Sequence, residues 1–542
     1  MSMSPLVLYP RVKAKAPGLQ DNTADLDRLR QVLEHGLPGE RPLRIPFERM
    51  TTLTRSFREA GFSGHAVVNN LPDSFQLVDF HQKKREVLPA MALDLGTTHL
   101  EASLLDLLTG RRLATSDREN SQIRFGADIL SRIHHATAGR RRHKRVEKDF
   151  LDPGLVELQE VICDDLNGLA RSLARQAGQE ITDIRALSVS GNTTMVHLLL
   201  GLDPYHMCRE PYIPMVNGLE PIPARELGLA IHPLAPVWIM PSIGSYFGGD
   251  LISGIVASGM ASGQETRMLI DVGTNAEVVL GNSEWMIGCA GAAGPALEGG
   301  VARMGMRAGP GAIEWVHIDP ETFKLSYRTI GDVPPCGICG SGLIDLAASL
   351  FLSGLIDIRG RFRDPEKETR PERAGFMREH LISSTNETGF VVATAQEAEG
   401  QEAVVLEQID LDAMIRSKAA MYAILTTLIN QVGLDFSDLK EICVAGAFGR
   451  HINPKSAVTL GMLPDLDLSV YRVIGNSSLA GAEKVLLDGE ARRECLRIVK
   501  TITYLELNVN QEFMIRFSGS KFIPHTDPTL FPSVPGPNHG KK

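Results

Sequence analysis

The chain is poor in cysteine, with seven in 542 residues, at positions 163, 208, 289, 336, 339, 443 and 495. So few, and an odd number, argue against a disulfide scaffold and make the cytoplasm the default compartment. No four cysteines are spaced as a C-x4-C-x2-C run requires, so no iron–sulfur cluster is expected within these residues. Long apolar runs are also missing. None reaches 18 uninterrupted residues, so no membrane helix is read. The opening MSMSPLVLYPRVKAKAP lacks the apolar core and cleavage site of a signal peptide. Positive charge is not in excess. Lys and Arg total 56 against 65 Asp and Glu, a net charge of −9. That argues against a general nucleic-acid binder, but not against one locally positive nucleotide site. GxxxxGK[ST] is absent, and no GxGxxG follows a strand, so P-loop and Rossmann readings lack their main support.

The composition is that of a folded protein: 43% apolar, 22% charged, with 51 Gly and 31 Pro. At roughly 150 residues per domain the length suggests three or four units. Residues 1–20 lack periodicity and read as a linker or arm. Residues 21–87 read as a small α/β domain, with helices over 25–35 and 43–59 and short strands over 63–80. From Leu88 the pattern changes to apolar strands ending in Gly turns, at 91–110, 185–195, 268–282, 441–449 and 470–478. Helical patterns cover 128–146, 151–177, 341–354, 410–431 and 478–487. Residues 88–520 are therefore read as one α/β body of two halves, about 88–267 and 268–520. Residues 521–542 are rich in proline and read as a surface or mobile tail.

The most informative internal signal is a repeated one. DLGTT at 94–98 and DVGTN at 271–275 share Asp-x-Gly-Thr at a separation of 177 residues, each between two apolar strands. An Asp at a strand end is costly to bury without a partner. Followed by a Gly turn whose N–H groups can face an anion, it suits a phosphate. Gly96, Thr97, Thr98, Gly273, Thr274 and Asn275 are the candidate phosphate-side residues. Asp94 and Asp271 are the candidate catalytic residues, holding Mg²⁺ through water and orienting an attacking water. A third glycine strand end, VAGAFG at 444–449, offers Gly446, Ala447, Phe448 and Gly449 as a small-residue floor for a base or ribose. Each segment alone is also compatible with an ordinary turn.

The order of these elements resembles the acetate and sugar kinase, Hsc70 and actin superfamily, in which two α/β subdomains close on ATP. Further strings are more specific: NSQIRFGADILSRI (120–133), GNTTMVHLLLGLDP (191–204), GICGSGLID (337–345), IRSKAAMYA (415–423), AGAFGRHINP (445–454) and GNSSLAGA (475–482). In this order they resemble the reductive activators of corrinoid-dependent enzymes, across about residues 88–520 and more weakly before. The resemblance implies a duplicated actin-like ATPase core behind a small α/β domain. It implies ATP and Mg²⁺ as ligands. The implied activity is ATP-dependent one-electron reduction of Co(II) to Co(I) on a corrinoid protein or corrinoid-dependent methyltransferase. Family members typically carry an iron–sulfur domain at one end. The strings here include none, which implies an external ferredoxin-like electron donor or a domain lost or removed ahead of the opening residues. A homodimer is left open, and no nucleic acid or membrane partner is expected. Two other readings share the phosphate signatures: a small-molecule kinase, and a non-catalytic nucleotide-gated binding protein.

Weaker candidates remain. The basic run GRRRHKRVEK (139–148) suits an acidic partner or a solvated helix face. His197 and His206 are candidates to approach a partner's corrinoid, or surface histidines. Glu298 and Asp345 lie in glycine-rich surroundings and are secondary candidates for ribose or metal-water contact. Cys336 and Cys339 form a C-x-x-C, either a metal or redox pair or a small-residue loop.

Overall fold

The computed structural model describes residues 4–139, 152–273, 275–291, 302–306, 308–383, 388–446, 452–507 and 510–535. They fall into two units. One comprises Met1–Ala257 and Ser478–Lys500, the other Ser258–Ser477 and Thr501–Lys542. The sequence reading placed one break near 267 and no return of the chain. The structure returns residues 478–500 to the first unit.

The first unit opens with a five-stranded sheet. Val7–Leu8 and Arg11–Lys13 pair antiparallel with Ser63–Asn70, which continues to Phe75–His81 and Leu43–Arg44. The opening residues, read as an arm, thus build an edge of this sheet, with Leu6, Val7 and Val12 buried. Strands of two or three residues are too short to show a period of two. The predicted helix over 43–59 is a strand at Leu43–Arg44, a 3-10 turn at Phe47–Arg49, and a helix only over Met50–Glu59. Pro46 explains the late start, because it biases Ile45 away from helical backbone. Leu29, Leu33, Leu53, Phe57 and Phe80 fill the core beneath the sheet, and the Phe57 ring meets Phe62 and Phe80 edge-on.

The same unit holds a six-stranded sheet in the order Ile222–Pro223, Pro236–Ile239, Leu187–Gly191, Pro89–Leu95, His99–Asp106, Arg112–Glu119. Pro89–Leu95 runs parallel to Leu187–Gly191 on one side and antiparallel to His99–Asp106 on the other. The 24-residue helix Pro153–Gln176 buries a leucine stripe (Leu155, Leu158, Leu166, Leu169, Leu173). It starts at Pro153 because Asp152 caps the Gly154 N–H at 3.1 Å and proline fits the first helical position.

The second unit repeats the design. Its six-stranded sheet runs Tyr471–Gly475, Glu441–Ala445, Arg267–Val272, Ala276–Gly281, Met286–Gly291, Ile502–Tyr504. Arg267–Val272 again has a parallel neighbour on one side and a hairpin partner on the other. The duplication read from DLGTT and DVGTN is therefore a duplication of sheet topology. Helices Gly340–Leu352 and Gln408–Gln431 contribute Leu346, Leu350, Phe351, Ile424 and Leu428 to this unit's core. Among the described residues no helix is long and apolar enough to cross a membrane.

The proline-rich segment after 520 is anchored, not loose. Ile523 and Phe531 are each 1% exposed. Lys418, fully buried on Gln408–Gln431, donates from Nζ to the Phe522 and Pro524 carbonyls, both at 2.6 Å. Burial holds the Lys418 amine well below its ordinary 10.5. Between the folded and unfolded pKa the unfolded chain binds more protons, so this group's contribution to stability rises with pH up to about 10.5. Lys418→Met should remove that slope and leave two buried carbonyls without their donor. The expected readout is faster trypsin cleavage after exposed Lys521 in the variant, and a flatter stability profile as pH rises toward 10.5.

Candidate functional site

Each unit carries one of the two Asp segments, and each is built from its strand outward. In the first unit, Asp94 is the penultimate residue of Pro89–Leu95, half-buried after five buried residues. In parallel register it lies opposite Ser190. Ser478 Oγ donates to Asp94 Oδ1 at 2.7 Å. At Gly96 a Cβ would stand 2.3 Å from the His99 carbonyl oxygen, so the hairpin turn itself demands glycine there. Two asparagines pin the turn. Asn120 Nδ2 donates to the Gly96 carbonyl at 2.9 Å and Asn120 N–H to the Thr98 carbonyl at 3.0 Å. Asn192 Nδ2 donates to Thr97 Oγ1 at 3.1 Å, while Asn192 Oδ1 caps the Met195 N–H at 2.9 Å and starts helix Thr193–Leu200. Because Thr97 accepts from Asn192, its own hydroxyl proton is left to donate elsewhere.

In the second unit, Asp271 is likewise penultimate in Arg267–Val272 and half-buried. Ser477 Oγ donates to Asp271 Oδ2 at 3.1 Å. The Gly273 N–H donates to the Asn275 carbonyl at 2.9 Å, closing the turn, and Asn275 is exposed. Gly446 sits at φ +84°, where a Cβ would lie 2.4 Å from the Val272 carbonyl and 2.6 Å from Asp271 Oδ1. The structure thus brings Gly446 directly against Asp271. Thr274, Ala447, Phe448 and Gly449 lie outside the described residues, as do Glu298 and residues 140–148 of the basic run.

The donor chemistry of both segments fits Mg²⁺ and phosphate. Carboxylate and hydroxyl oxygens are hard ligands, and both carboxylates sit at strand ends, half-accessible. The weaker candidates separate from them. Asp345 is 4% exposed on Gly340–Leu352 and accepts from Ser456 Oγ at 2.6 Å, while burial pushes its carboxyl up. It ties its helix to Pro454–Leu460. His197 is 1% exposed, with Nδ1 at 2.7 Å from the Thr193 carbonyl and its pKa lowered by burial, so it cannot approach a partner. His206 is exposed and remains on the surface. Cys336 Sγ faces Met306 Sδ at 3.5 Å and Cys339 Sγ the Ile313 carbonyl at 3.4 Å, so each thiol has its own packing partner.

Comparison with known proteins accounts for the whole layout. Residues 265–535 match the model described as the C-terminal domain of RACo, the ASKHA domain. Residues 89–263 match the RACo middle region and residues 1–86 the RACo linker region. The chain belongs to the RACo family. The RACo relatives include a corrinoid activation enzyme, RamQ, from Eubacterium limosum, 32% identical over 91% of this chain and 79% of the relative. A second is a [Co(II) methylated amine-specific corrinoid protein] reductase from Methanosarcina barkeri, 23% identical over 76% of this chain and 72% of the relative. A solved reductive activator for corrinoid, iron–sulfur protein superposes with a TM-score of 0.87, at 36% identity, over 98% of this chain and 81% of that one. The ASKHA fold expected from the resemblance is thereby established.

Sequence reasoning took the aspartates of this RACo chain and missed what holds them. Ser190 and Asn192 lie in the strand pattern read at 185–195, and Ser477 and Ser478 in the GNSSLAGA string. The available signal was alternation. Ser188 and Ser190 are two polar residues on one face of an otherwise apolar, wholly buried strand.

Proposed function

We propose that this chain couples ATP hydrolysis to the one-electron reduction of Co(II) to Co(I) in a partner corrinoid protein. Membership of the RACo family, over the linker, middle and ASKHA regions alike, carries the reading. Mg-ATP supplies the energy, and one electron passes from an iron–sulfur group outside these residues to the cobalt. Asp94 and Asp271 hold the hydrated Mg²⁺ and orient the water that attacks the terminal phosphate. Thr97 and Thr98, with the turn N–H group of Gly96, meet phosphate oxygens, while Gly273, whose N–H closes its own turn on the Asn275 carbonyl, shapes the phosphate-side loop of the second unit. Thr274 and Asn275 serve the same end in the second unit, and Gly446, Ala447, Phe448 and Gly449 lie along the nucleoside. ADP and phosphate then replace ATP. The two nucleotide states must bind the corrinoid partner differently if hydrolysis is to drive an uphill electron transfer.

The test is anaerobic spectroscopy of a Co(II) corrinoid protein mixed with this chain, a reduced ferredoxin and Mg-ATP. The expected result is a Co(I) signal that appears only with all four present. A Co(I) signal of equal size without nucleotide would remove the coupling. ADP formation that depends instead on an added metabolite, with a phosphorylated product, would put the small-molecule kinase reading in its place.

A further inference from the structure

Asp94 stands at the end of a line of buried hydroxyls. Ser253 Oγ lies 2.7 Å from Ser190 Oγ, Ser190 Oγ 2.8 Å from Ser478 Oγ, and Ser478 Oγ 2.7 Å from Asp94 Oδ1. Ser190 and Ser253 are 0% exposed and Ser478 7%. A hydroxyl has one proton to give. Ser190 Oγ has two acceptors in reach, the Gly249 carbonyl at 3.2 Å and Ser478 Oγ at 2.8 Å. Since Ser478 gives its proton to the carboxylate, the shorter contact is a hydrogen bond only with Ser190 as its donor, and Ser190 then accepts from Ser253. Along that path the three O–H dipoles point one way, toward Asp94, and each polarises the next in a buried setting.

Three elements supply this line, and the packing that joins them is specific. Ser190 is the in-register neighbour of Asp94 on the parallel strand. Ser253 lies on helix Gly249–Ser258 and Ser478 near the start of helix Ser477–Leu487. One turn after Ser478, Gly481 lets the two helices touch: a Cβ there would lie 2.4 Å from the Ser253 carbonyl. Ser188 Oγ, on the same face of the strand as Ser190, donates to the Ala482 carbonyl at 2.6 Å and ties the middle of that helix to the strand. The second unit is different at the matching place. The in-register neighbour of Asp271 is Ala445, which has no hydroxyl to give.

We infer that Ser478 and Ser190 are positioning residues for Asp94, holding its Oδ1 in one rotamer so that the carboxylate meets the hydrated metal in a fixed pose. The inference rests on the proposed role of Asp94 in ATP hydrolysis. It is a role in the turnover step and not in gathering the nucleotide. A carboxylate free to rotate still attracts Mg-ATP, but spends less time aligned with the attacking water.

The experiment uses the full chain and measures kcat for Mg-ATP hydrolysis beside the affinity for a non-hydrolysable ATP analogue. Ser478→Ala should lower kcat by ~10-fold or more and shift the analogue affinity by less than ~3-fold. Ser190→Ala, one link further back, should lower kcat by ~3- to 10-fold. Ser478→Thr, which keeps the hydroxyl, should restore most of the rate. Ser469→Ala, at an exposed hydroxyl bonded to Asp467, should leave the rate unchanged. If Ser478→Ala does not fold, Ser190→Ala reads the same line. Wild-type kcat in both serine variants, with hydrolysis lost in Asp94→Asn, would overturn the inference and leave the phosphate role of Asp94 standing. Wild-type hydrolysis in Asp94→Asn would overturn both. Equal losses of kcat and analogue affinity would reduce the serines to structural support and also overturn it.

Discussion

Asp94→Asn and Asp271→Asn should each lower Mg-dependent ATP hydrolysis by roughly 10²- to 10³-fold, the scale of losing one preorganised charged group at a phosphoryl-transfer centre. Asparagine keeps the shape of aspartate and an oxygen acceptor. Ser478 can still donate to residue 94 and Ser477 to residue 271, so neither variant should lose its sheet. What each loses is a negative charge that Mg²⁺ would otherwise meet. The loss should be specific to the metal-bound nucleotide, and raising Mg²⁺ should recover part of the affinity but little of the rate. The proposed role of both aspartates on Mg²⁺ predicts that the double variant falls scarcely below the worse single one, since groups that act together are not additive. Steady-state hydrolysis across a Mg²⁺ titration, with thermal melts of each variant, checks this. Folded variants that both hydrolyse ATP at the wild-type rate would remove the phosphate reading of both segments.

The aspartates were legible in the sequence for a physical reason. Asp-x-Gly-Thr between apolar strands is a local pattern, and its second copy at Asp271 has the same surroundings. Both strands duly occupy the same topological place in their sheets. The serines that hold them were not legible. Ser478 and Asp94 are 384 residues apart, and no periodicity relates a helix start to a strand end at that distance. Short elements were also lost. Val7–Leu8 and Arg11–Lys13 form strands only because Ser63–Asn70 is there to pair with them. The tail carries two single buried apolar residues, Ile523 and Phe531, and the carbonyls on either side of Ile523 are held by Lys418, a hundred residues earlier. Glycines give a mixed lesson. Gly96 was read as room for a phosphate, but the His99 carbonyl beside it shows that the turn needs glycine on its own account. A glycine's purpose is set by what surrounds it, which a sequence does not print.

Two glycines separate the cost of backbone strain from the cost of crowding. Gly433 has φ +69° and nothing within 4 Å of a Cβ, whereas Gly446 has φ +84° with the Val272 carbonyl at 2.4 Å and Asp271 Oδ1 at 2.6 Å. Both belong to the second unit. Gly433→Ala should cost only the left-handed backbone penalty, about 1–2 kcal/mol, with hydrolysis intact. Gly446→Ala should cost that amount and more, because a Cβ cannot stand 2.4 Å from backbone and the turn must shift to admit it. The atom it meets next is a carboxylate oxygen of Asp271, so that shift turns or displaces the carboxylate. Hydrolysis should therefore fall by ~10-fold or more in Gly446→Ala even where the protein is fully folded, since a misplacement of about 1 Å can cost 10²-fold. Chemical denaturation of both variants, alongside kcat measured well below their melting points, checks the pair. If Gly446→Ala lost only stability, and to the same extent as Gly433→Ala, the close approach of Gly446 to Asp271 would have no part in turnover.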